Sequence, residues 1–205
     1  MKKLVVLAAI AVFGFSKAQA QEEIQFGVKA GVNFAKLTGD DVEDADGRTG
    51  LHFGGVVEIP ISEKFSIQPE LVYSQQGLQQ DDNDGEWKLK LDYLNVPVFA
   101  KFYVADGFSL EAGPQFGFNL SAKSELQVEG FDGEEISVIE RELEDQVEGF
   151  DFGFGLGAAY KMETGLFFQA RYTLGLTSVY EGSDEGLFQD DLNNSVLSLS
   201  VGFMF

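Results

Sequence analysis

The sequence contains no cysteine, so neither a disulfide nor a lipoprotein anchor on a cysteine is available to it. It has a single histidine, His52. A serine hydrolase needs a base beside an activated hydroxyl, and a metal site usually wants clustered ligands, so one histidine supports neither. Positive charge is scarce: 14 lysines and arginines face 34 acids, a net charge of −20. Such a chain repels phosphates, which excludes nucleic acid as a partner. Long apolar runs are missing too, the longest being the twelve residues Leu4 to Phe15. As a helix that run covers about 18 Å of a roughly 30 Å hydrocarbon core.

That run has a different use. Residues 1–20, MKKLVVLAAIAVFGFSKAQA, combine a basic head, a short apolar centre and an Ala18-Gln19-Ala20 exit, the pattern of a secretory signal peptide cleaved before Gln21. Residues 21–205 then form one domain, whose net charge without the three leader lysines is −23. Twenty phenylalanines in a chain of near-zero mean hydropathy must be gathered on particular surfaces.

They are gathered with a period of two, the signature of strands. From Ile24 to Ala35, Ile24, Phe26, Val28, Ala30, Val32 and Phe34 alternate with glycine, lysine and amides. From Phe108 to Ser121, Phe108, Leu110, Ala112, Pro114, Phe116, Phe118 and Leu120 oppose Ser109, Glu111, Gly113, Gln115, Gly117 and Asn119. Further alternating segments lie near 51–61, 65–77, 89–103, 150–160, 166–178 and 195–205, giving eight in all. Short connections at 62–64, 104–107 and 161–165 alternate with long ones at 38–50, 78–88, 122–149 and 179–194. Short turns on one side of a membrane and long loops on the other describe an outer-membrane barrel. A soluble eight-stranded barrel shares the period with the opposite orientation, and residue volume decides between them. A narrow lumen suits the face of glycines and small polar residues, leaving the aromatic face to lipid. The expected fold is all-β, an eight-stranded antiparallel up-and-down transmembrane β-barrel in the outer membrane, closed because an open edge in hydrocarbon leaves backbone groups unpaired.

The four prolines, at 60, 69, 97 and 114, fall inside these strands, and local bulges are expected at Pro97 and Pro114. The final strand carries Leu199, Val201, Phe203 and Phe205 on one face, resembling the C-terminal signal read by the barrel-insertion machinery.

Charge divides by place. The four long connections carry −4, −3, −8 and −5, or −20 of the mature −23. The inward face nevertheless holds Lys29, Glu58, Glu70, Lys101, Glu111, Asp151 and Arg171. Buried charges are costly unless paired, so a hydrogen-bonded network that closes the lumen to ions is expected. Counting across the turn at 104–107 sets Lys101 opposite or diagonal to Glu111, predicting an ion pair between them. His52 points inward, with a lumen hydrogen bond as its role. The acidic stretches at 40–47 and 81–85 miss the first and closing ligands of a calcium loop. They read as solvated loops, and no metal or cofactor is expected. In 122–149, Leu126, Val128, Ile136 and Val138 flank Gly130-Phe131-Asp132-Gly133, favouring a hairpin that continues above the membrane over a helix with the stripe Ile136, Ile139, Leu143 and Val147. Phe131 at its tip is a candidate contact with a surface partner.

The stretches YLNVPVFAKFYV (93–104), LEAGPQFGF (110–118), FDFGFGLGAAY (150–160), ARYTLGLTSV (170–179) and LSLSVGFMF (197–205) resemble the small outer-membrane β-barrel family labelled PorT-like, eight-stranded barrels of the OmpA and OmpX kind. Tyr93, Pro97, Lys101, Gly113-Pro114, Tyr172 and Gly175-Leu176 carry the match, which spans essentially the mature chain. The resemblance implies a barrel and, through the family's namesake, an accessory role in a protein-secretion system, whereas fold alone does not transfer function. The expected role is a closed, monomeric, non-catalytic barrel of the Gram-negative cell envelope. Its acidic loops serve surface contact or envelope integrity, and its partners are outer-membrane lipid, lipopolysaccharide and the barrel-assembly machinery. A small channel is the less favoured alternative.

Overall fold

The computed structural model describes residues 23–38, 46–82, 85–129, 135–143, 147–179 and 192–205. The leader read at 1–20 and the loop tip at Phe131 lie outside the described residues. Nine strands run β1 (Gln25–Thr38), β2 (Asp46–Ser62), β3 (Phe65–Asp82), β4 (Gly85–Ala105), β5 (Phe108–Glu129), β6 (Glu135–Glu142), β7 (Phe150–Lys161), β8 (Leu166–Gly175) and β9 (Asn193–Met204). All pairings are antiparallel. Each strand pairs with the next in the chain except that β7 pairs with β5 instead of β6, and β1 pairs with β9, so the sheet closes on itself. Eight strands form the wall. The ninth, β6, pairs with the outer half of β5, while β7 pairs with the inner half of the same edge. The expected hairpin in 122–149 is therefore present as β5–β6. Among the described residues no helix is long and apolar enough to cross a membrane.

Side-chain alternation orients the wall. Phe26, Val28, Leu110, Phe118, Phe154 and Phe168 face outward and are exposed, whereas Lys29, Glu58, Glu70, Gln68 and Arg171 face inward and are buried. This is the reverse of a soluble barrel. An apolar exterior is stable only against lipid.

Several connections expected to be loops are strand instead. Residues 78–82 and 85–88 continue the β3–β4 ladder as far as Asp82↔Gly85, and 46–50 belong to β2. In these extensions the polarity of the inward face changes. Leu37, Leu78, Leu89, Leu91, Tyr93, Ala122, Leu143, Val179 and Leu192 form an apolar core inside the long-loop end. Beyond the lipid the barrel meets water, so its outer section acquires the oil-inside arrangement of a soluble one.

The prolines also depart from expectation. No register shift occurs at Pro97 or Pro114; the shifts in the β4–β5 ladder lie between Asp92 and Tyr93 and between Tyr103 and Ala105. Pro97 pairs with Gln115 toward β5, while toward β3 the ladder skips from Pro69↔Val98 to Val72↔Asn95, with register kept. Pro114 likewise pairs with Phe154, while its β4 side is skipped between Pro97 and Ala100. A proline lacks one donor, so it costs one side of the ladder locally without requiring an inserted residue.

Glycines on the inner face make room for large groups. A Cβ on Gly155 would collide with the Phe99 ring, and one on Gly202 with the Phe167 ring. The lumen is therefore not lined only by small polar residues as the residue-volume argument suggests. Phe99, Tyr93, Phe167 and Met204 point into it, and the Phe99 and Phe167 rings each lie across a glycine.

Candidate functional site: a filled lumen

The seven ionisable residues expected inside are all buried, and six of them fall into two clusters. In the middle of the barrel, Glu70 on β3 accepts a salt bridge from Lys29 Nζ of β1 at 2.7 Å. It also takes both terminal nitrogens of Arg171 of β8, at 3.1 and 2.9 Å. Arg171 Nη2 reaches on to Glu111 of β5 at 3.2 Å. Gln169 accepts from Lys29 at 2.8 Å and donates to Glu111 at 3.2 Å, closing a ring of two cations, two carboxylates and one amide. The guanidinium stacks on Phe99, 3.5 Å from the ring centroid. Paired fork geometry with further hydrogen bonds is the arrangement in which buried charges are tolerated.

Nearer the short-turn end, Glu58 gathers Lys101 Nζ (3.3 Å), Lys161 Nζ (3.2 Å), Ser66 Oγ (2.9 Å) and the Tyr103 hydroxyl. Lys101 also donates to Gln68 Oε1 at 3.0 Å. This corrects the expected Lys101–Glu111 pair. Their Cα positions are partners across β4–β5 as the turn count predicted, yet Lys101 leans toward β3 and β2, and the Glu111 carboxylate turns to Arg171 on β8. Cross-strand register fixes which backbones are adjacent, and long side chains then choose among carboxylates of opposite charge across the lumen. Replacing Lys101 with methionine leaves Glu58 with Lys161, Tyr103 and Ser66. It is expected to cost about 1.5–3 kcal/mol, the worth of one charged hydrogen bond, read as a lower midpoint in urea unfolding.

Asp151 joins neither cluster. Its described partners are Thr177 Oγ1 (3.0 Å) and Asn194 Nδ2 (2.8 Å), donors without a charge, at the level where the lumen turns apolar. His52 is buried and bonds Ser200 Oγ through Nε2 at 2.7 Å, the kind of lumen contact read from its inward parity.

Three groups escaped the sequence reading. Lys161, the second cation on Glu58, sits at the end of β7 beside a short turn and was counted with the connection. Gln68, Gln169, Asn33 and Ser198 are inward-facing amides and hydroxyls whose parity was available but whose partners, on distant strands, were not. The outer apolar core was only half visible: Leu89, Leu91 and Tyr93 lay in an expected strand, whereas Leu78, Ala122, Leu143, Val179 and Leu192 lay in segments assigned to long acidic connections.

Leu199, Val201, Phe203 and Phe205 lie on one outward face at the end of the chain. The amide of Phe205 donates to the Phe26 carbonyl at 2.8 Å, extending the seam at which β9 meets β1.

The architecture of a closed, inside-polar barrel is matched by sequence over residues 18–181, which fit the outer membrane protein beta-barrel domain. The chain belongs to that family. Its place is accordingly the outer membrane. Two solved members of the same architecture superpose on it: Neisserial surface protein A, at TM-score 0.53 and 13% identity, and the attachment invasion locus protein of Yersinia pestis, at TM-score 0.50 and 13% identity. Each alignment covers 90% of this chain and 100% of the other. No curated protein sequence matches the chain. At such identities the likeness concerns the fold, and the role must be argued from the residues.

Proposed function

We propose that this outer-membrane barrel is a closed, monomeric, non-catalytic scaffold that carries its strand extensions and acidic loops to the cell surface, for surface contact and envelope integrity, and passes no solute. The observation that carries this reading is the occupied lumen. Val56, Phe167 and Met204 pack together toward the short-turn end, the Glu58 and Glu70 clusters fill the middle, and the leucine-rich core closes the long-loop end. An eight-stranded wall leaves space only for side chains, and conduction requires sites an ion can enter and leave.

In this role the outward apolar band meets lipid and lipopolysaccharide. The face formed by Leu199, Val201, Phe203 and Phe205 serves the barrel-assembly machinery during insertion. Most of the net charge stands outside the membrane, where it keeps the surface hydrated and repels anions while leaving basic partners free to approach.

Purified protein reconstituted in a planar bilayer is expected to give a flat trace at 1 M salt. Reproducible unitary steps from folded protein would overturn the closed-scaffold reading in favour of a small channel.

A further inference from the structure

Two buried nitrogens in the middle of the lumen have no partner among the described residues: Nδ1 of His52 and Nε of Arg171. The parent residues are only 3% and 4% exposed. Both line the same cavity, together with Lys29, Glu70, Asn95, Gln115 and Thr173. Its volume is about 30 Å³, more than the roughly 10–15 Å³ that one water needs. Nearly every wall group is polar. A buried polar atom left unsatisfied costs about 1–3 kcal/mol, and neither nitrogen can turn elsewhere: Nε2 of the ring is held by Ser200, and the guanidinium is clamped by Glu70, Glu111 and Phe99.

We propose that this cavity is a built hydration site holding one or two water molecules that join Arg171 Nε to His52 Nδ1, and that the water fixes the histidine tautomer. The direction of the hydrogen bonds follows from donor chemistry. An arginine Nε–H can only donate, so the water accepts from it. A water accepts from two N–H groups without difficulty, so the charge of the wall decides: an N–H on Nδ1 would aim its positive end at the Arg171 guanidinium that lines the same cavity. A lone pair on Nδ1 instead receives a water hydrogen and leaves the other hydrogen for the Glu70 carboxylate or the Gln115 amide. The ring proton then sits on Nε2 and is donated to Ser200 Oγ. Larger ligands are excluded by volume. A bare anion is excluded because Lys29 and Arg171 are already balanced by Glu70 and Glu111.

The single histidine makes the test unambiguous. Protein labelled with ¹⁵N in its imidazole, folded in lipid nanodiscs, gives two ring-nitrogen signals from one residue. The expected spectrum shows protonated Nε2, unprotonated but hydrogen-bonded Nδ1, and cross-relaxation between the His52 ring protons and a long-lived water. Val72→Ile, which adds a methylene to the cavity wall, is expected to abolish the water contact and move the Nδ1 signal toward its free position. If that variant does not fold, Thr173→Val removes a polar wall group at constant volume and is expected to weaken the contact. A protonated Nδ1, or no water contact in the wild-type barrel, would overturn the proposal.

Discussion

Replacing Glu70 with alanine is expected to lower the stability of the barrel by about 3–5 kcal/mol, the cost of breaking a buried ion pair from one side. Glu70 is the common partner of Lys29 at 2.7 Å and of both Arg171 terminal nitrogens. Its removal leaves two cations facing each other with Glu111 as the remaining carboxylate of the cluster. The contrast with Lys101→Met distinguishes network position from mere burial. Glu58 keeps a cation and two hydroxyls when Lys101 is lost, whereas the pair Lys29 and Arg171 keeps one shared acid. Adding Lys29→Met to Glu70→Ala is expected to restore part of the loss, because it removes one uncompensated charge; neighbours in one network are not additive. Urea unfolding followed by the shift in gel mobility between folded and unheated barrel and its heated form measures all three variants on one scale.

The second large effect is expected at Phe99. Its ring is fully buried, stacked under the Arg171 guanidinium and laid over Gly155. Phe99→Ala removes the ring and leaves a cavity, a change that costs about 3–5 kcal/mol in packed cores, and it also removes a desolvated cation–π contact worth about 2 kcal/mol or more. A rescue is built into the geometry. In the alanine background, Gly155→Leu has the freed volume to occupy, and it is expected to recover some stability there while destabilising the wild-type barrel, where its Cβ meets the ring. Equal destabilisation in both backgrounds would contradict the assigned packing. The same unfolding assay reads both arms.

These two sites show what a sequence of this kind reveals and what it withholds. The wall was legible because a two-residue period is a local property: every residue from Phe108 to Leu120 announces its face through its neighbours. Closure followed from the apolar exterior, and the burial of Lys29, Glu58, Glu70, Lys101, Glu111, Asp151 and Arg171 followed from parity alone. Pairing among those seven did not. Lys29 and Arg171 are brought to Glu70 by the circumference of the barrel, and no count along the chain measures a distance across its interior. The Lys101–Glu111 expectation illustrates the limit, since the register holds while the side chains part. Phe99 was hidden for a related reason. An inward phenylalanine breaks the rule that small residues face the lumen unless the glycine opposite is known, and Gly155 lies on a strand that does not border β4 in sequence or in the wall.

The outer section escaped for a different reason. Residues 78–88 read as an acidic connection by composition, yet Leu78 and Trp87 carry the inward face of the flanking strands through it. Charge density masked a period that continues from the membrane into the extension, with the polarity of the two faces exchanged. The boundary between the two regimes runs through Asn33, which donates to Ser74 Oγ and the Gln75 carbonyl, and Asn194, which donates to Asp151.

On the closed-scaffold reading proposed above, the lumen is filled and sealed from both ends, and the protein acts at its outer surface. The chain has no cysteine, which makes thiol labelling a clean probe. Single cysteines in place of Asn95, buried beside the central cluster, and of Arg141, exposed on β6, are compared in intact cells with a charged, membrane-impermeant maleimide. A filled lumen gives rapid labelling of Arg141→Cys and none of Asn95→Cys until the barrel is unfolded. Labelling of folded Asn95→Cys at a rate near that of Arg141→Cys would show an open lumen and contradict it.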